Sequence, residues 1–245
     1  MSSLKWALFL IIVSAVVYTM EPFHRGYFAN DESLKYPYYP STVKSVYLYT
    51  VVPIIAILIV FIRSSSRNLF ERAIMVLPLV TSIIISLYKF LYLLALGYAV
   101  VSMFVHIGKI VIGRLRPNFF DVCNPAVVTE TRFGYITNFA CLKNDTHLIR
   151  EMRLSFPSGH SAYSMFPAIF IVVYLHYRMP RISMGSVLQA FVQTAAVTAA
   201  FYVGLTRVTD NKHHWTDVLA GMLLGAAVGI FSVTMLLLAS VFKKI

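Results

Sequence analysis

The chain has 245 residues, of which 58% are hydrophobic and only 13% charged, and its formal net charge is +11 at pH 7. Because a soluble globular domain has about 25% charged residues, this composition excludes that class and indicates an integral membrane protein. The positive excess suits anionic lipid headgroups and basic cytoplasmic loops, so we expect the lipid bilayer, and not nucleic acid, as the partner.

Six apolar segments follow one another along the chain, and each approaches the length of about 20 residues that a helix needs to cross a bilayer. They lie near residues 4–20, 46–62, 88–112, 161–177, 187–205 and 216–241. The first lacks a small-residue cleavage site, so we interpret it as a span and not as a signal peptide. The pattern predicts an all-α, polytopic membrane protein with six transmembrane helices, forming a single domain over residues 1–245.

A further apolar stretch, residues 74–87, stands directly before the third span. It is too short to cross the membrane alone, and Pro78 interrupts it. We interpret it as an interfacial or re-entrant segment that leads into the third span.

Basic residues in the short connections all fall on one side of the membrane in this arrangement. They are Lys5, Arg63, Arg67, Arg72, Arg178, Arg181, Lys243 and Lys244. That side is cytoplasmic by the positive-inside rule and carries both termini. The loops 113–160 and 206–215 then face the exterior or a lumen. Since the two terminal lysines do not fit a standard dilysine retrieval signal, we expect the plasma membrane.

Two features of the loop 113–160 agree with this sidedness. Asn144 begins an Asn-Asp-Thr acceptor for N-glycosylation, although such a sequence can also remain unused. Cys123 and Cys141 are the only cysteines of the chain, and an oxidising compartment favours a disulfide between them over two free thiols. We therefore predict a glycoprotein with one disulfide bond.

Lys109 and Arg116 stand at the outer end of the third span. They are seven residues apart, which is two helical turns, so they share one face of the helix, and Pro117 then ends it. Cations at a helix C-terminus can also serve only to reach lipid headgroups, and we accept that interpretation for Arg114. For Lys109 and Arg116 we prefer a shared binding site.

The entry to the fourth span reads Pro157-Ser158-Gly159-His160. A turn of this kind at a helix N-terminus presents backbone N–H groups that can hold an anion. Taken alone, the stretch also fits an ordinary helix start with Ser158 as the N-cap and His160 on the surface.

The entry to the sixth span contains His213 and Asp217, four residues apart. If the helix has begun, the carboxylate can fix one ring nitrogen as a donor and leave the other free. His214 points about 100° away and is expected at the headgroup rim. A metal site is disfavoured, because Lys109, Arg116 and Arg207 would repel a divalent cation; they suit an oxyanion instead.

Read together, the three clusters resemble the signature of the type-2 phosphatidic acid phosphatase superfamily, K-x6-R-P, P-S-G-H and S-R-x5-H-x3-D. The spacings match throughout, with Thr206 where the family usually has serine. Residues 25–38 are also similar to the first outer loop of animal lipid phosphate phosphatases. The resemblance implies a helical bundle similar to the vanadium haloperoxidase and acid phosphatase fold.

The resemblance also implies a role for each site residue. Lys109, Arg116 and Arg207 would hold the phosphate oxygens, together with Ser158 and Gly159. His213 would be the nucleophile, oriented by Asp217, and would form a phosphohistidine. His160 would act as general acid and then as general base. No metal or other cofactor is implied, so turnover would be independent of magnesium.

A pocket at the outer membrane edge suits phosphates whose tails stay in the bilayer, and the expected substrates are phosphatidate, lysophosphatidate, sphingosine 1-phosphate and ceramide 1-phosphate. The alternatives are a polyprenyl diphosphate or sugar-phosphate phosphatase of the same superfamily, and a catalytically silent lipid-binding relative. Gly221, Gly225 and Gly229 repeat every four residues on the sixth span. This stripe fits close packing within the bundle or a homo-oligomer equally well.

Overall fold

The computed structural model describes residues 2–50, 54, 76–130, 134–178 and 183–241. In chain order the elements are α1 (Ser2–Thr19), β1 (Tyr27–Phe28), a short 3-10 helix (Glu32–Leu34), α2 (Ser45–Tyr49), α3 (Val76–Ile112), α4 (Phe119–Cys123), β2 (Pro125–Glu130), β3 (Tyr135–Cys141), α5 (Thr146–Glu151), α6 (Gly159–Arg178), α7 (Ser183–Thr209) and α8 (Trp215–Val241).

Helix α6 lies at the centre of the bundle and packs against α3, α7 and α8. Its residues Phe166 and Phe170 are fully buried four positions apart, so they form one apolar face of the helix. Phe170 meets Phe90 of α3 edge to face, with ring centroids 5.2 Å apart. This packing holds α3 and α6 side by side.

Helix α8 approaches α6 closely because glycines form its contact face. A Cβ atom at Gly221 would lie 2.4 Å from the carbonyl oxygen of Ser158, and one at Gly225 would lie 2.5 Å from that of Ala162. Only glycine leaves room for backbones at this distance. The glycine stripe is thus used inside the bundle, and a homo-oligomer stays a prediction.

The interpretation of residues 74–87 as an interfacial or re-entrant segment is corrected for the part that the structure describes. Helix α3 is one continuous element of 37 residues beginning at Val76. Pro78 lies in its first described turn, and the first turn of a helix tolerates proline. The apolar stretch therefore extends the third span as helix.

Three of the described helices contain a segment long and apolar enough to cross a membrane: Leu87–Ile112, Val187–Thr209 and Trp215–Met235. The protein is therefore an integral membrane protein. Helices α1 and α6 coincide with the predicted spans 4–20 and 161–177. Most of the predicted span 46–62 lies outside the described residues, so the count of six stays a prediction.

The prediction of an all-α protein is wrong in the loop 113–160, which contributes two strands to a small sheet. The sheet is antiparallel in the order β1-β3-β2, with Tyr27 opposite Ile136. Strand β2 contains the β-branched pair Val127 and Val128, which favours strand over helix. The fold is therefore mostly helical.

The predicted disulfide is confirmed: Cys123, at the end of α4, is bonded to Cys141, at the end of β3. Beneath it, Phe119 and Met152 are buried in the same small apolar core. The loop is thus a packed unit that holds α5 over the end of the bundle where α3 ends and α6 begins. Asn144 is exposed just before α5, and its glycosylation stays a prediction.

Candidate active site

The three sequence clusters meet at one cavity of about 440 Å³, at the end of the bundle where α3 ends and α6 begins. The predicted residues that line it are Lys109, Arg116, Gly159, His160, Arg207 and His213. They come from the end of α3, the loop after it, the start of α6, the end of α7 and the turn before α8. The prediction that Lys109 and Arg116 share one helix face is wrong, because α3 ends at Ile112 and Arg116 lies in the loop that follows Gly113. Residues separated by up to about a hundred positions in sequence therefore share one site, as their spacing predicts.

His213 is buried at the wall of the cavity, and a backbone carbonyl fixes its tautomer. Its Nδ1 lies 2.6 Å from the carbonyl oxygen of Ser155. Since a carbonyl can only accept, Nδ1 carries the proton and Nε2 keeps its lone pair. Burial, and then the charges of Arg116 and Lys109, hold the pKa of His213 well below its usual value. The ring is therefore neutral and able to act as a nucleophile.

Asp217 does not contact His213 in the predicted way. Its Oδ2 lies 3.9 Å from His213 Nδ1, which is too far for a hydrogen bond. Oδ2 instead accepts from the Ser155 hydroxyl at 2.6 Å, and Oδ1 accepts from Arg114 at 2.5 Å. The carboxylate thus holds Ser155, and Ser155 holds the ring.

Helix α8 begins only at Trp215, which explains why the expected pairing fails. His213 lies in the turn before the helix, so the four-residue spacing does not place it over Asp217. The Asp217 carboxylate accepts instead from the backbone N–H of His214 at 3.0 Å, as the third residue of a helix does in a capping box. His214 is not among the described residues that line the cavity. Its Nε2 lies 3.1 Å from the carbonyl oxygen of Leu115.

His160 lies in the first turn of α6 on the cavity wall. Its Nε2 lies 3.2 Å from the carbonyl oxygen of Val43, so Nε2 is the donor. Burial first, and then the charges of Arg207 and Lys109, lower the pKa of His160 to about 3. The imidazole is neutral while the cavity holds no anion.

Each of the three cations has a different partner. Lys109 Nζ donates to the carbonyl oxygen of Leu154 at 3.0 Å. Arg207 is bound to Asp210 at 2.6 Å, and its guanidinium also donates to the hydroxyl of Thr206. Thr206, which stands where the family usually has serine, therefore keeps the hydroxyl that accepts from Arg207.

Arg116 lies 2.5 Å from Glu151, a cavity residue that the sequence did not single out. Its Nε is buried and has no hydrogen-bond partner among the described residues. Burial raises the pKa of Glu151, but Arg116 and Lys109 outweigh it, and the net shift is downward. The site therefore contains a carboxylate that a bound anion would have to face.

Of the two predicted phosphate-binding residues at the start of α6, Ser158 and Gly159, only Gly159 lines the cavity. Ser158 is fully buried, its hydroxyl caps α6 by accepting from Ser161, and its N–H donates to the carbonyl oxygen of Asp217. It does not line the cavity, so the N-cap interpretation describes it. Gly159 does line the cavity, at the helix N-terminus.

Sequence reasoning also missed Ser155, Arg114 and Lys212. Lys212 lines the cavity with its Nζ 3.4 Å from the centre of the Tyr38 ring, and burial followed by Arg116 and Arg207 lowers its pKa to about 8. Its position directly before His213 was the available signal. The contacts of Ser155 and Arg114 with Asp217 join residues more than 60 positions apart, and no local spacing encodes them.

The chain is similar to known proteins over most of its length. The family model described as PAP2 superfamily matches residues 86–239. Phospholipid phosphatase 1 of Rattus norvegicus is 39% identical over 214 residues, covering 86% of this chain and 75% of that protein. A putative phosphatidate phosphatase of Drosophila melanogaster is 35% identical over 84% of this chain and 59% of that protein. Phospholipid phosphatase 2 of Rattus norvegicus is 35% identical over 86% of this chain and 76% of that protein. No solved structure matches the chain significantly.

Proposed function

The chain belongs to the PAP2 superfamily, and on that premise we propose that it is a membrane phosphatase that removes the phosphate group from lipid phosphates. One observation carries the proposal. A buried, neutral His213 with a free Nε2 shares a single cavity with a second imidazole and three cations. This set can bind a phosphate dianion, attack its phosphorus and protonate a leaving group.

In the first step, Nε2 of His213 attacks phosphorus and the bond from phosphorus to the lipid oxygen breaks. His160 gives its proton to that oxygen, so a lipid alcohol leaves and a phosphohistidine remains. In the second step, His160 takes a proton from water, the water oxygen attacks phosphorus, and the bond from phosphorus to nitrogen breaks. Inorganic phosphate is released and both imidazoles return to their starting states.

The cations make both steps feasible. Lys109, Arg116 and Arg207 would stabilise the charge that the phosphoryl oxygens carry in the transition state, and a donor of this kind is commonly worth about 10²- to 10³-fold in rate. Burial, and then the charges of Arg207 and Lys109, lower the pKa of His160, and a bound dianion opposes the effect of those charges. We therefore expect His160 to gain its proton together with the substrate, which prepares it as the acid.

The proposed substrates are phosphatidate, lysophosphatidate, sphingosine 1-phosphate and ceramide 1-phosphate. The names of the relatives, phospholipid and phosphatidate phosphatases, support lipid phosphates ahead of polyprenyl diphosphates or sugar phosphates. We further propose that turnover needs no metal ion, and that the site opens on the exterior face of the plasma membrane with both termini in the cytoplasm.

The test is phosphate release from a panel of lipid phosphates in the presence of EDTA. We expect His213→Ala to abolish phosphate release. His160→Ala should still form an acid-labile phosphoprotein, at a small residual rate. His176→Ala is the matched control, because His176 is exposed on the same helix as His160 and lies outside the cavity. Wild-type release by His213→Ala, or loss of wild-type activity in EDTA, would contradict the mechanism.

A further inference from the structure

A second cavity lies between α1 and α3, on the membrane-spanning part of the bundle. Its volume is about 460 Å³. That is close to the volume of the candidate active-site cavity, which we call the cationic cavity because Lys109, Arg116 and Arg207 line it. The residues that line it are Ile11, Ser14, Ala15, Ala95, Tyr98, Ala99, Ser102, His106 and Tyr163. We call it the α1–α3 groove.

The wall of the α1–α3 groove is mostly apolar, and three of its polar side chains, Ser14, Ser102 and His106, bond to one another. The Ser14 hydroxyl lies 2.7 Å from the hydroxyl of Ser102 and 2.8 Å from Nδ1 of His106. Ala15 and Ala95 are exposed and small, and they leave the groove open on the outside of the bundle. An apolar ligand is therefore favoured over a polar one.

The groove adjoins the cationic cavity. His106 and Tyr163 line both spaces, and the ring of Tyr18, which lines the cationic cavity, lies 4.8 Å from that of His106. A ligand with a phosphate at one end and an apolar chain at the other can thus occupy both. Two separate ligands, one in each cavity, would contact each other at His106 and Tyr163.

The length of the groove matches one leaflet of a membrane. Along α3 it extends from Ala95 to His106, which is about 16 Å at about 1.5 Å per residue. The hydrocarbon core of a bilayer is about 30 Å thick, so half of it is about 15 Å. The groove lies within the apolar segment Leu87–Ile112 and extends from the cationic cavity past the middle of that segment.

We propose that the α1–α3 groove binds the hydrocarbon chain of the lipid phosphate whose headgroup lies in the cationic cavity. This proposal rests on the proposed function and adds the place and the class of the apolar part of the substrate. Lipid tails are as apolar as the groove, so binding gains little from leaving the bilayer. The groove acts chiefly by aligning the chain, which places phosphorus in line with His213.

The first test fills the groove and compares two substrates. In Ala15→Trp and Ala95→Trp, we expect the ratio of kcat/KM for dioleoyl phosphatidate to that for glycerol 3-phosphate to fall at least tenfold. Ile12→Trp is the matched control, because Ile12 is exposed on α1 outside the groove, and its ratio should equal that of the wild type. An unchanged ratio in the two groove variants overturns the proposal.

The second test does not depend on turnover or on the folding of the groove variants. A lipid phosphate with a photoreactive diazirine in mid-chain is added to His213→Ala in vesicles, and the adducts are mapped by mass spectrometry. We expect adducts between residues 11–15 and 95–102, suppressed by excess unlabelled phosphatidate. Adducts elsewhere overturn the groove, whereas a wild-type protein that hydrolyses no lipid phosphate but gives these adducts overturns the proposed function alone.

Discussion

Asp217 contacts the proposed nucleophile, His213, through Ser155, and this arrangement predicts the size of the contribution of Asp217 to the proposed reaction. At an effective dielectric constant of about 20, a carboxylate 3.9 Å from a cationic ring stabilises it by about 4 kcal/mol, or about a thousandfold in rate. Arg114, bound to the same carboxylate, cancels part of that field. We therefore expect Asp217→Asn to lower kcat by about 10- to 100-fold.

A directly bonded carboxylate would give a different result. Replacing the aspartate that itself fixes a catalytic histidine's tautomer costs about 10⁴-fold, because the ring then adopts the wrong tautomer. Here the Ser155 carbonyl oxygen accepts from Nδ1 and remains after the substitution. The loss should fall mainly on kcat, while the KM for phosphatidate changes little.

A double-mutant cycle tests the path through Ser155. Ser155→Ala removes the hydroxyl that joins Ser155 to Asp217. We therefore expect the double variant to lose less kcat than the sum of the losses, in free energy, of Ser155→Ala and Asp217→Asn. Ser164→Ala is the control, since Ser164 is also a buried serine but its hydroxyl donates to the carbonyl oxygens of Ser161 and Ala200 instead. Thermal unfolding in detergent shows whether each variant is folded. Additive losses, or a folded Asp217→Asn protein slowed 10⁴-fold, would refute this reasoning.

Three further measurements probe the fold. Cys141→Ser, which opens a disulfide with a sequence separation of 18, should lower the free energy of unfolding by about 3 kcal/mol; a variant as stable as the wild type would contradict this. Gly225→Ala should cost about 1 to 3 kcal/mol because its Cβ would lie 2.5 Å from the Ala162 carbonyl oxygen, whereas Ala227→Ser on the exposed face should have little effect. The pKa of His160 is about 3 when folded against 6.5 when unfolded, so the unfolded chain binds protons more tightly. Stability should therefore fall by about 2 kcal/mol between pH 6.5 and pH 5, and the pH dependence of thermal unfolding should be shallower in His160→Gln.

The sequence predicted the convergence of the site correctly, because helix ends follow from span boundaries. The prediction that Lys109 and Arg116 share one helix face was wrong, since α3 ends at Ile112 and Gly113 has a positive φ of 55°. Lys109 and Arg116 lie at the same cavity as His160 and His213, as expected from sidedness. The disulfide was predictable for a similar reason, since both cysteines belong to one outer loop.

The errors share a physical cause: local spacing holds only inside one regular element. The pairing of His213 with Asp217 assumed a helix that begins two residues too early, whereas the backbone turns at Asn211, which has a positive φ of 54°. The outer strands were missed because β1 and β3 pair across more than a hundred residues. Glu151 was missed because only the tertiary fold brings it to Arg116.

Asp217 is linked by hydrogen bonds to the segments that carry both imidazoles, His160 and His213. Its side chain holds Ser155, whose carbonyl oxygen accepts from His213, and its own carbonyl oxygen accepts from the N–H of Ser158, two residues before His160. A small displacement of the start of α8 would therefore move the His213 ring and the start of α6 together. Residues 161–212, which form most of α6 and α7, separate His160 from His213 in sequence, yet both rings are tied through Asp217 to the first turn of α8.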